Sequence, residues 1–510
     1  MRAPNFNLVD EPWLPCLTSE GKTCALSLRE ALQRAHELGE LSADPPATAA
    51  LTRLLVAVVH RSLDGPKTRR AWAGTWGKGR FDPAAVDAYL DRWKARFDLF
   101  DPLQPFFQAP LDHTVLKPPS LLDPAAAQGN NPTLFDHSMD GAAVPLPADE
   151  AARRLVALQA FAAGGLMSGE AGGRVSGKAA LLSGSWVFLV SGRSLFHTLL
   201  LNTPVYNPAE ELPFAVLGHD APVWERPPSS SAVERNPAGW LDLLTYPSRR
   251  VQLVPDPDAP VPQVCRVKVT DGDHPAAGWG PRSRELSSAF TERPTGWAEL
   301  RPAEGRDLWR DATVLFCTQV GGSERPRVVE HVATMVVSAA VGIEERLGLD
   351  AYALATNKAK YLYWRHERLP LRTGLFHTDA ASEAISSAVE GADRVAKAMQ
   401  RAVAELAGRP DRANLDRDER KRRRMWAEHA MGEFWARLAP GFDQFLAALP
   451  DEHSAFDRWS GCLGAAVEGA WSSWSASFSA TPAGFRRVAQ ADHLVAMART
   501  AARHLREEAT

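Results

Sequence analysis

Residues 164–184 combine several side chains capable of binding chemistry with an unusual density of glycine. The stretch GGLMSGEAGGRVSGKAALLSG holds seven glycines in 21 residues, with Glu170, Arg174 and Lys178 between them. Because glycine has no side chain, its backbone can lie directly against a ligand. An ordered loop of this kind inside a long chain is typically a binding element. The alternative is a flexible linker, since linkers also cluster glycine.

Part of this stretch is close to a phosphate-binding P-loop. Residues 172–178 fit the pattern G-x-x-x-x-G-K, but the next position should be a Mg²⁺-binding Ser or Thr and is Ala179. A P-loop also follows a strand and begins a helix. Here residues 151–163 have helical spacing, and Trp186–Val190 is a predicted buried strand. A nucleotide-binding enzyme therefore remains only as an alternative, and the sequence has no H-E-x-x-H or G-x-S-x-G motif to favour another enzyme class.

Metal-ligating residues are scattered. His60 follows the apolar face of a helix predicted over 48–63, and no second His or Cys stands at ligand spacing, so a buried structural histidine is predicted. The five cysteines form no C-x-x-C pair. This pattern argues against a zinc ribbon and favours a reducing compartment. We therefore expect no metal and no cofactor.

The overall composition limits the possible partners. Of the 510 residues 45% are hydrophobic and 23% charged, and the net charge is −3. A globally basic nucleic-acid binder is excluded, so any such surface must be a local patch. The chain has no apolar run of the roughly 18 residues that a membrane span needs, and its first residues have no apolar signal core. A cytoplasmic protein without membrane contact is expected.

The hydrophobic periodicity predicts an α+β fold with two domains. Residues 1–376 are predicted to form a large mixed domain with loop-rich insertions. Within it we expect, besides the helix over 48–63, a capping box at Ser27 and Glu30, strands at Leu241–Tyr246, Arg250–Val254 and Val264–Val269, a helix over Val328–Leu347, and a hairpin over Tyr352–Trp364. Residues 377–510 have helical periods at 380–407, 411–437, 453–475 and 485–508. Their short connections predict an antiparallel four-helix bundle.

Several segments, in order along the chain, resemble one known family. They are FNLVDEPWLP at residues 6–15, GNN at 129–131 followed by TLFDH at 133–137, the glycine stretch, and the C-terminal bundle. Together they resemble the large subunit of the type I-E CRISPR surveillance complex, Cascade, over almost the whole chain. The resemblance implies a non-catalytic protein that recognises the motif flanking a DNA target (the PAM), starts strand separation and R-loop formation, and helps recruit the helicase-nuclease. The implied partners are double-stranded DNA, the CRISPR guide RNA, the other Cascade subunits and that helicase-nuclease.

The resemblance places the glycine stretch against the minor groove of the flanking duplex. The implied contact residues are Gly169, Gly172, Gly173 and Arg174. That groove is only about 6 Å wide and carries a degenerate code, so tolerance for several flanking motifs is expected. A lysine from the central β region is implied in the same groove, and Lys268 matches it best. Arg266, on the same strand face, is the alternative residue for this contact. The non-functional alternative is that Lys268 is an ordinary lysine facing outward from a strand.

Two further loops acquire roles from the resemblance. The strand-separating wedge corresponds to Asn357, Lys358 and Ala359. Some relatives carry Gln where this chain has Lys358. The lysine cannot insert a neutral amide between the strands as Gln would, but it could hold a phosphate. A solvated turn is the alternative. The loop that docks on the guide RNA and neighbouring subunits corresponds to Asn130, Asn131 and Phe135. There Phe135 could stack on a base and the amides bond base edges, unless the loop is a buried turn.

The predicted bundle also carries basic residues. Arg394, Lys397 and Arg401 recur at i, i+3 and i+7 on one helix face, and a basic run covers Arg420–Arg424 with acidic residues just before it. Such residues are usually a solvated face. Alternatively they form a track for displaced single-stranded DNA or for a neighbouring subunit. A scaffold that binds only protein subunits is the remaining alternative to a DNA reader.

Overall fold

In a computed structural model of the chain, the described residues are 4–112, 114–123, 144–169, 173–206, 220–227, 231–277, 279–280, 285–317, 322–357, 360–376, 379–408, 416–449, 451–478 and 481–508. They form a mixed α+β fold with small sheets and a helical C-terminal region, which confirms the predicted fold class. The chain divides into two compact units. The first comprises Met1–Pro302 and Pro326–Arg368, and the second comprises Ala303–Arg325 and Leu369–Thr510. No helix in the described ranges is long and apolar enough to span a bilayer.

The strands are β1 (Leu14–Thr18), β2 (Thr23–Leu26), β3 (Leu38–Leu41), β4 (Leu146–Pro147), β5 (Gly165–Ser168), β6 (Arg174–Gly177), β7 (Trp186–Ser191), β8 (Arg249–Pro255), β9 (Gln263–Asp271), β10 (Phe290–Arg293), β11 (Gly296–Glu299), β12 (Ser323–Glu324), β13 (Arg346–Asn357) and β14 (Lys360–Arg372). The helices are α1 (Leu28–Gln33), α2 (Pro45–Ser62), α3 (Arg69–Lys78), α4 (Pro83–Trp93), α5 (Ala148–Phe161), α6 (Leu195–Leu201), α7 (Trp240–Leu244), α8 (Ala312–Phe316), α9 (Arg327–Val337), α10 (Asp379–Leu406), α11 (Arg417–Ala436), α12 (Ala439–Ala448), α13 (Glu452–Phe478) and α14 (Pro482–Glu508).

Small sheets hold the first unit together. Three of them have the strand orders β2-β1-β3, β14-β13-β7 and β4-β9-β8. Strands β5 and β6 form a two-stranded antiparallel sheet, and β10 pairs antiparallel with β11. In β8-β9 the register sets Arg250 opposite Thr270 and Gln252 opposite Lys268. Side chains alternate between the two faces of a strand, so these four residues share one face. The opposite face carries buried valine and leucine from both strands.

Helix α2 lies at the centre of the first unit. It begins with Pro45 and Pro46, and the N-cap Asp44 accepts a hydrogen bond from the Ala47 N–H at 3.0 Å. Proline suits the first turn of a helix because the backbone N–H it lacks would have no partner there. Nearly every α2 residue from Pro46 to His60 is buried, and α5 packs against it. The predicted helix over 48–63 and the capping box at Ser27 and Glu30 are both confirmed.

His60 is a core residue, as the sequence predicted. The histidine is 8% exposed, and neither ring nitrogen has a hydrogen-bond partner among the described residues. Burial, reinforced by the charge of Arg61, lowers the pKa of His60 to about 4. An imidazole in this position is neutral in the folded chain because ionisation would leave a charge without solvent.

His60→Leu should flatten the acid sensitivity of stability. In the unfolded chain His60 titrates near pH 6.5, so between about pH 6.5 and 4 unfolding takes up a proton there. The free energy of unfolding therefore falls as the pH is lowered through this window. Urea denaturation at a series of pH values should show the variant's slope reduced by about one proton. The exposed His36→Leu is the control, and equal slopes in His60→Leu and wild type would contradict the assignment.

Two predicted elements in the first unit are wrong in type or extent. Residues Leu241–Tyr246 were expected as a strand, but residues 240–244 form helix α7. The Asp220 carboxylate accepts hydrogen bonds from the N–H groups of Leu241 and Asp242, at 3.1 and 3.0 Å. This cap comes from a residue some twenty positions earlier, which local periodicity does not reveal. The helix expected over Val328–Leu347 ends at Val337, and strand β13 begins at Arg346.

The second unit is a helical bundle built around tryptophans. The long helices α10, α11, α13 and α14 pack together, and the short helix α12, which was not predicted, packs on α13. Trp459 is fully buried and donates its indole N–H to the Ala388 carbonyl at 3.0 Å. Trp309 lies 5.5 Å from the Trp459 ring, which explains why 303–325 groups with the bundle. The sequence placed that segment, together with 369–376, in the N-terminal domain.

Candidate nucleic-acid interface

The glycine stretch forms a projecting β-hairpin, β5-β6. Its register pairs Leu166 with Ser176 and Ser168 with Arg174, and the Gly169 N–H donates to the Gly173 carbonyl at 2.8 Å. At its end Gly173 and Arg174 are exposed, as are the apolar side chains of Leu166 and Val175. The predicted loop is thus an ordered hairpin at its base and not a linker.

The glycines of this hairpin meet different surroundings. A Cβ on Gly169 would lie 2.9 Å from Val175 Cγ1, and one on Gly177 would collide with the Met167 side chain. A side chain at Gly169 would require Val175 to shift, whereas at Gly177 the flexible end of Met167 would have to move away. A Cβ on Gly173, by contrast, would have nothing within 4 Å among the described atoms. The described residues therefore give no packing reason for glycine at position 173.

The P-loop interpretation fails on the local structure. Residues 173–206 are all described, and Lys178 follows strand β6 and precedes a turn and strand β7, with no helix directly after it. Its backbone N–H donates to Asp271 Oδ1 at 3.1 Å. A P-loop places phosphate on a helix N-terminus and keeps acidic groups away from it. The nucleotide-binding alternative therefore loses its structural basis.

The base of the hairpin is fixed to the sheet that carries Lys268. Strands β5 and β6 both pack on β9, which ends at Asp271. Arg249, almost fully buried at the start of β8, lies with Nη1 3.7 Å from Asp271 Oδ1 and donates from Nη2 to the Ala163 carbonyl at 2.8 Å. Burial lowers the pKa of Arg249. Asp271 thus holds Lys178, just after the hairpin, and Arg249 holds Ala163, just before it. Both ends of the hairpin are attached to the same end of the β8-β9 pair.

The β13-β14 hairpin reaches the same place. Tyr361, the second residue of β14, accepts at its hydroxyl the N–H of Ala163 at 2.8 Å, and burial raises the pKa of Tyr361. Leu362 and Trp364, on the other face of the strand, are 57% and 50% exposed. The sequence predicted this hairpin and its position, but it gave no sign of the Tyr361 contact. The alternation of side chains between the two strand faces from Tyr361 to Trp364 was the sequence signal that could have identified Leu362 and Trp364 as exposed.

Lys268 is only partly available. It is half-buried, and its ammonium group donates to the Leu111 carbonyl at 2.5 Å. Arg266, two residues earlier on the same strand face, is exposed and donates from Nη1 to the adjacent Cys265 carbonyl at 2.8 Å. A ligand must therefore displace the Leu111 contact to engage Lys268, whereas Arg266 needs no such change.

Some predicted site residues lie outside the described part of the chain. They are Gly172 of the glycine stretch, Lys358 and Ala359 of the predicted wedge, and Asn130, Asn131 and Phe135 of the predicted guide loop. Asn357 is the last residue of β13, and its backbone alone is described. Of the predicted residues, the structure thus brings Gly169, Gly173 and Arg174 near strand β9, which carries Lys268, and near the start of β14.

The basic residues of the bundle lie in the second unit. Arg394, Lys397 and Arg401 are all exposed on one face of α10, while Val395 and Met399 between them are buried. The basic run on α11 is partly neutralised within the helix, because Glu419 pairs with Arg422 at 2.8 Å and with Arg423 at 2.7 Å. Those two contacts also lower the pKa of Glu419.

Metal-binding geometry is not found in the described ranges. No group of three or more His, Cys, Asp or Glu side chains is arranged there to hold an ion. The five cysteines are free thiols, and Cys16 stands directly opposite Cys24 in the β1-β2 pair.

Comparison with known proteins defines the class of this fold. The family model for CRISPR-associated protein Cse1 matches residues 7–470. The chain is similar to CRISPR-associated protein CasA/Cse1 of Thermus thermophilus, 32% identical over 492 residues that cover 91% of each chain. The solved structure of Thermus thermophilus CasA superposes with a TM-score of 0.80 at 28% identity, covering 97% of this chain and 99% of that one. A chain in a solved CRISPR RNA-guided surveillance complex has the same fold, with a TM-score of 0.78 at 22% identity over 96% and 99% of the two chains.

The fold and the extent of these matches define a CRISPR-associated protein. More particularly, the chain belongs to the CasA/Cse1 family, the family of the large Cascade subunit.

Proposed function

We propose that this chain is the non-catalytic large subunit of an RNA-guided DNA surveillance complex and reads the target-flanking motif from the minor groove. The observation that carries the proposal is the convergence of the β5-β6 hairpin, strand β9 and the β13-β14 hairpin on Ala163 and Asp271. A reading element beside a strand-parting element is the arrangement that duplex opening requires. The solved surveillance complex of the same fold supports the assignment of guide RNA and Cascade subunits as partners.

In this proposal each element has a physical task. The hairpin end, at Gly173 and Arg174, enters the narrow minor groove, where backbone can approach the base edges and Arg174 meets negative potential. Arg266 or Lys268 adds a second cation from β9. The tip after Asn357 parts the first base pairs beyond the motif. Pairing of the guide with the target strand then offsets the cost of opening the duplex.

Three further contacts complete the proposal. The guide loop at Asn130, Asn131 and Phe135 contacts the guide RNA or neighbouring subunits, and the open R-loop recruits the helicase-nuclease. The α10 face holds the displaced single strand through phosphate contacts.

Omission of the chain tests this function directly. A complex assembled with and without it is exposed to duplex targets whose flanking bases are randomised, and the bound fraction is sequenced. We expect enrichment of a small set of flanking motifs only when the chain is present. The same enrichment in both assemblies would leave the chain as a protein-only scaffold.

Replacing Arg394, Lys397 and Arg401 together with Ala tests the single-strand track. Exposed positions tolerate substitution within about 0.5 kcal/mol, so the melting temperature should stay the same. The affinity for the R-loop should depend less steeply on salt concentration. With fewer phosphates contacted, fewer counterions are released from the DNA on binding. The charge-matched control replaces three exposed arginines of α13 and α14, Arg458, Arg486 and Arg503. Equal salt slopes for wild type and the α10 triple variant would exclude this face as the track.

A further inference from the structure

Two of the cysteines face each other across the sheet formed by β1, β2 and β3. The register of the antiparallel strands β1 and β2 places Cys16 directly opposite Cys24. Directly opposite residues of such a pair point to the same face, with Cα atoms about 4.5–5.5 Å apart. A disulfide joins cysteines whose Cα atoms are roughly 4.4–6.8 Å apart. The backbone of the folded chain therefore already has the spacing that a disulfide needs.

The two thiols differ in their access to solvent. Cys16 is fully buried, and β3 places the buried Leu41 opposite it on its other side. Its thiol donates weakly to the Leu14 carbonyl, with 3.6 Å between Sγ and oxygen, so little opposes a change of rotamer toward Cys24. Cys24 is only half-buried. A small oxidant therefore reaches Cys24 first, and Cys16 is the thiol that completes the bond from within.

The charges around the pair act on both sulfurs. Burial, followed by the charge of an ionised Cys24, raises the pKa of Cys16 to about 12, while Arg34 acts in the opposite direction. Arg34 is the C-cap residue of α1, and its Nε lies 3.0 Å from a Glu37 carboxylate oxygen. A nearby guanidinium group favours the thiolate, which is the form of cysteine that attacks a disulfide.

The other half-buried cysteines provide a comparison with isolated thiols. Cys265 lies in β9, where its Sγ is 3.4 Å from the Val254 carbonyl oxygen, and the register with β8 sets no cysteine opposite it. Cys462 lies in helix α13, with its Sγ 4.0 Å from the Arg437 carbonyl oxygen. Both are as accessible as Cys24 by class of burial, so they differ from it in lacking a thiol across the strand.

We propose that Cys16 and Cys24 form a reversible disulfide when the chain meets a low-molecular-weight disulfide such as oxidised glutathione. The Cys24 thiolate attacks one sulfur of the oxidant, which forms a mixed disulfide and releases one glutathione thiolate. Cys16 then gives up its proton and attacks the Cys24 sulfur, which releases the second glutathione. Two cysteines are oxidised, and one glutathione disulfide is reduced to two thiols that take up the two protons. In a reducing compartment the pair returns to the dithiol form.

Peptide mapping of the folded full chain tests the proposal. After incubation with oxidised glutathione and alkylation of the remaining thiols, trypsin cleaves after Lys22 and Arg29 and so separates the two cysteines into peptides 3–22 and 23–29. Mass spectrometry without reduction should find these peptides joined, and reduction should separate them. The joined species should exceed the glutathione adduct of Cys24 about tenfold or more, because a thiol held in place outcompetes free glutathione.

Serine variants identify the partner thiol. Cys16→Ser should leave Cys24 as a glutathione adduct, whereas Cys265→Ser, which removes a half-buried thiol elsewhere, should leave the link unchanged. An adduct that persists on Cys24 in the wild-type chain would overturn the proposal. So would a link that forms only after unfolding in urea, or links through Cys265 or Cys462 as abundant as the one between Cys16 and Cys24.

The linked chain should melt at a higher temperature than the reduced chain. The bond restricts the unfolded chain, while β1 and β2 keep their register. Amide hydrogen exchange over residues 14–26 should become slower for the same reason. Cys24→Ser, treated with the same oxidant, should show neither change. A lower melting temperature or faster exchange in the linked chain would show that the bond distorts the sheet, and would overturn the assignment of these cysteines as a disulfide site of the folded chain.

Discussion

Gly173→Asp is expected to weaken binding of double-stranded target about a hundredfold while leaving the assembled complex and its guide RNA intact. The new side chain adds bulk and a negative charge at the exposed end of the β5-β6 hairpin. On the proposed reading that end enters a groove flanked by phosphates on both sides, where low-dielectric walls weaken screening. Steric clash and repulsion together should cost on the order of 2–3 kcal/mol, about a hundredfold in affinity.

The structure makes this substitution a clean test. A Cβ at Gly173 meets nothing within 4 Å among the described atoms, so the described residues give no packing reason to reject a side chain there. The melting temperature should therefore match that of wild type. Gly169→Ala is the contrasting change, because its Cβ would press on Val175 Cγ1 at 2.9 Å and disturb the hairpin itself.

The measurement compares affinity for double-stranded and single-stranded target. Single-stranded target needs no opening and takes its specificity from guide pairing, so its affinity should survive in Gly173→Asp. Gly342→Asp, at another exposed glycine with open space around its Cβ, is the charge-matched control. Equal losses on both targets, or no loss on either, would remove the hairpin from flanking-motif recognition.

Local sequence predicted the elements that carry local signals. The capping box at Ser27, the buried helix α2, strand β7 and the β13-β14 hairpin each have a periodic pattern or a capping residue of their own. Helix α7 was misassigned because its cap, Asp220, lies far away in sequence. Local sequence also could not predict that residues 303–325 belong to the bundle, because that grouping depends on the packing of Trp309 against Trp459.

The same distinction applies to the candidate site. Glycine density identified the hairpin, and the resemblance to the Cascade large subunit supplied its proposed task. The contacts that position it connect Arg249, Asp271 and Tyr361 to residues about 90 to 200 positions away. Each of these side chains is an ordinary polar residue in its own segment. Only the pairing of strands brings them to Ala163 and Lys178, so no periodicity could have selected them.

Tyr361→Phe is expected to uncouple the two hairpins. The hydroxyl of Tyr361 is the acceptor for the Ala163 N–H, and its removal leaves that donor without its partner in a poorly hydrated place. Such a loss costs about 1–3 kcal/mol. Part of this cost should appear as a lower melting temperature of the chain. The rest should appear as increased mobility of the hairpin base, measured as faster amide hydrogen exchange over residues 163–168.

In the proposed function, motif reading and duplex opening require the two hairpins to keep a fixed relation, so this loss should also affect target binding. Tyr361→Phe should slow R-loop formation on double-stranded target, with a smaller effect on a target whose first base pairs beyond the motif are mismatched and already open. Tyr363→Phe removes a hydroxyl two residues further along β14, on the same strand face, and keeps the Ala163 contact in place. It should behave like wild type in both assays. If Tyr361→Phe slows the paired and the mismatched targets equally, or if Tyr363→Phe reproduces its effect, the contact at Ala163 does not couple motif reading to strand separation.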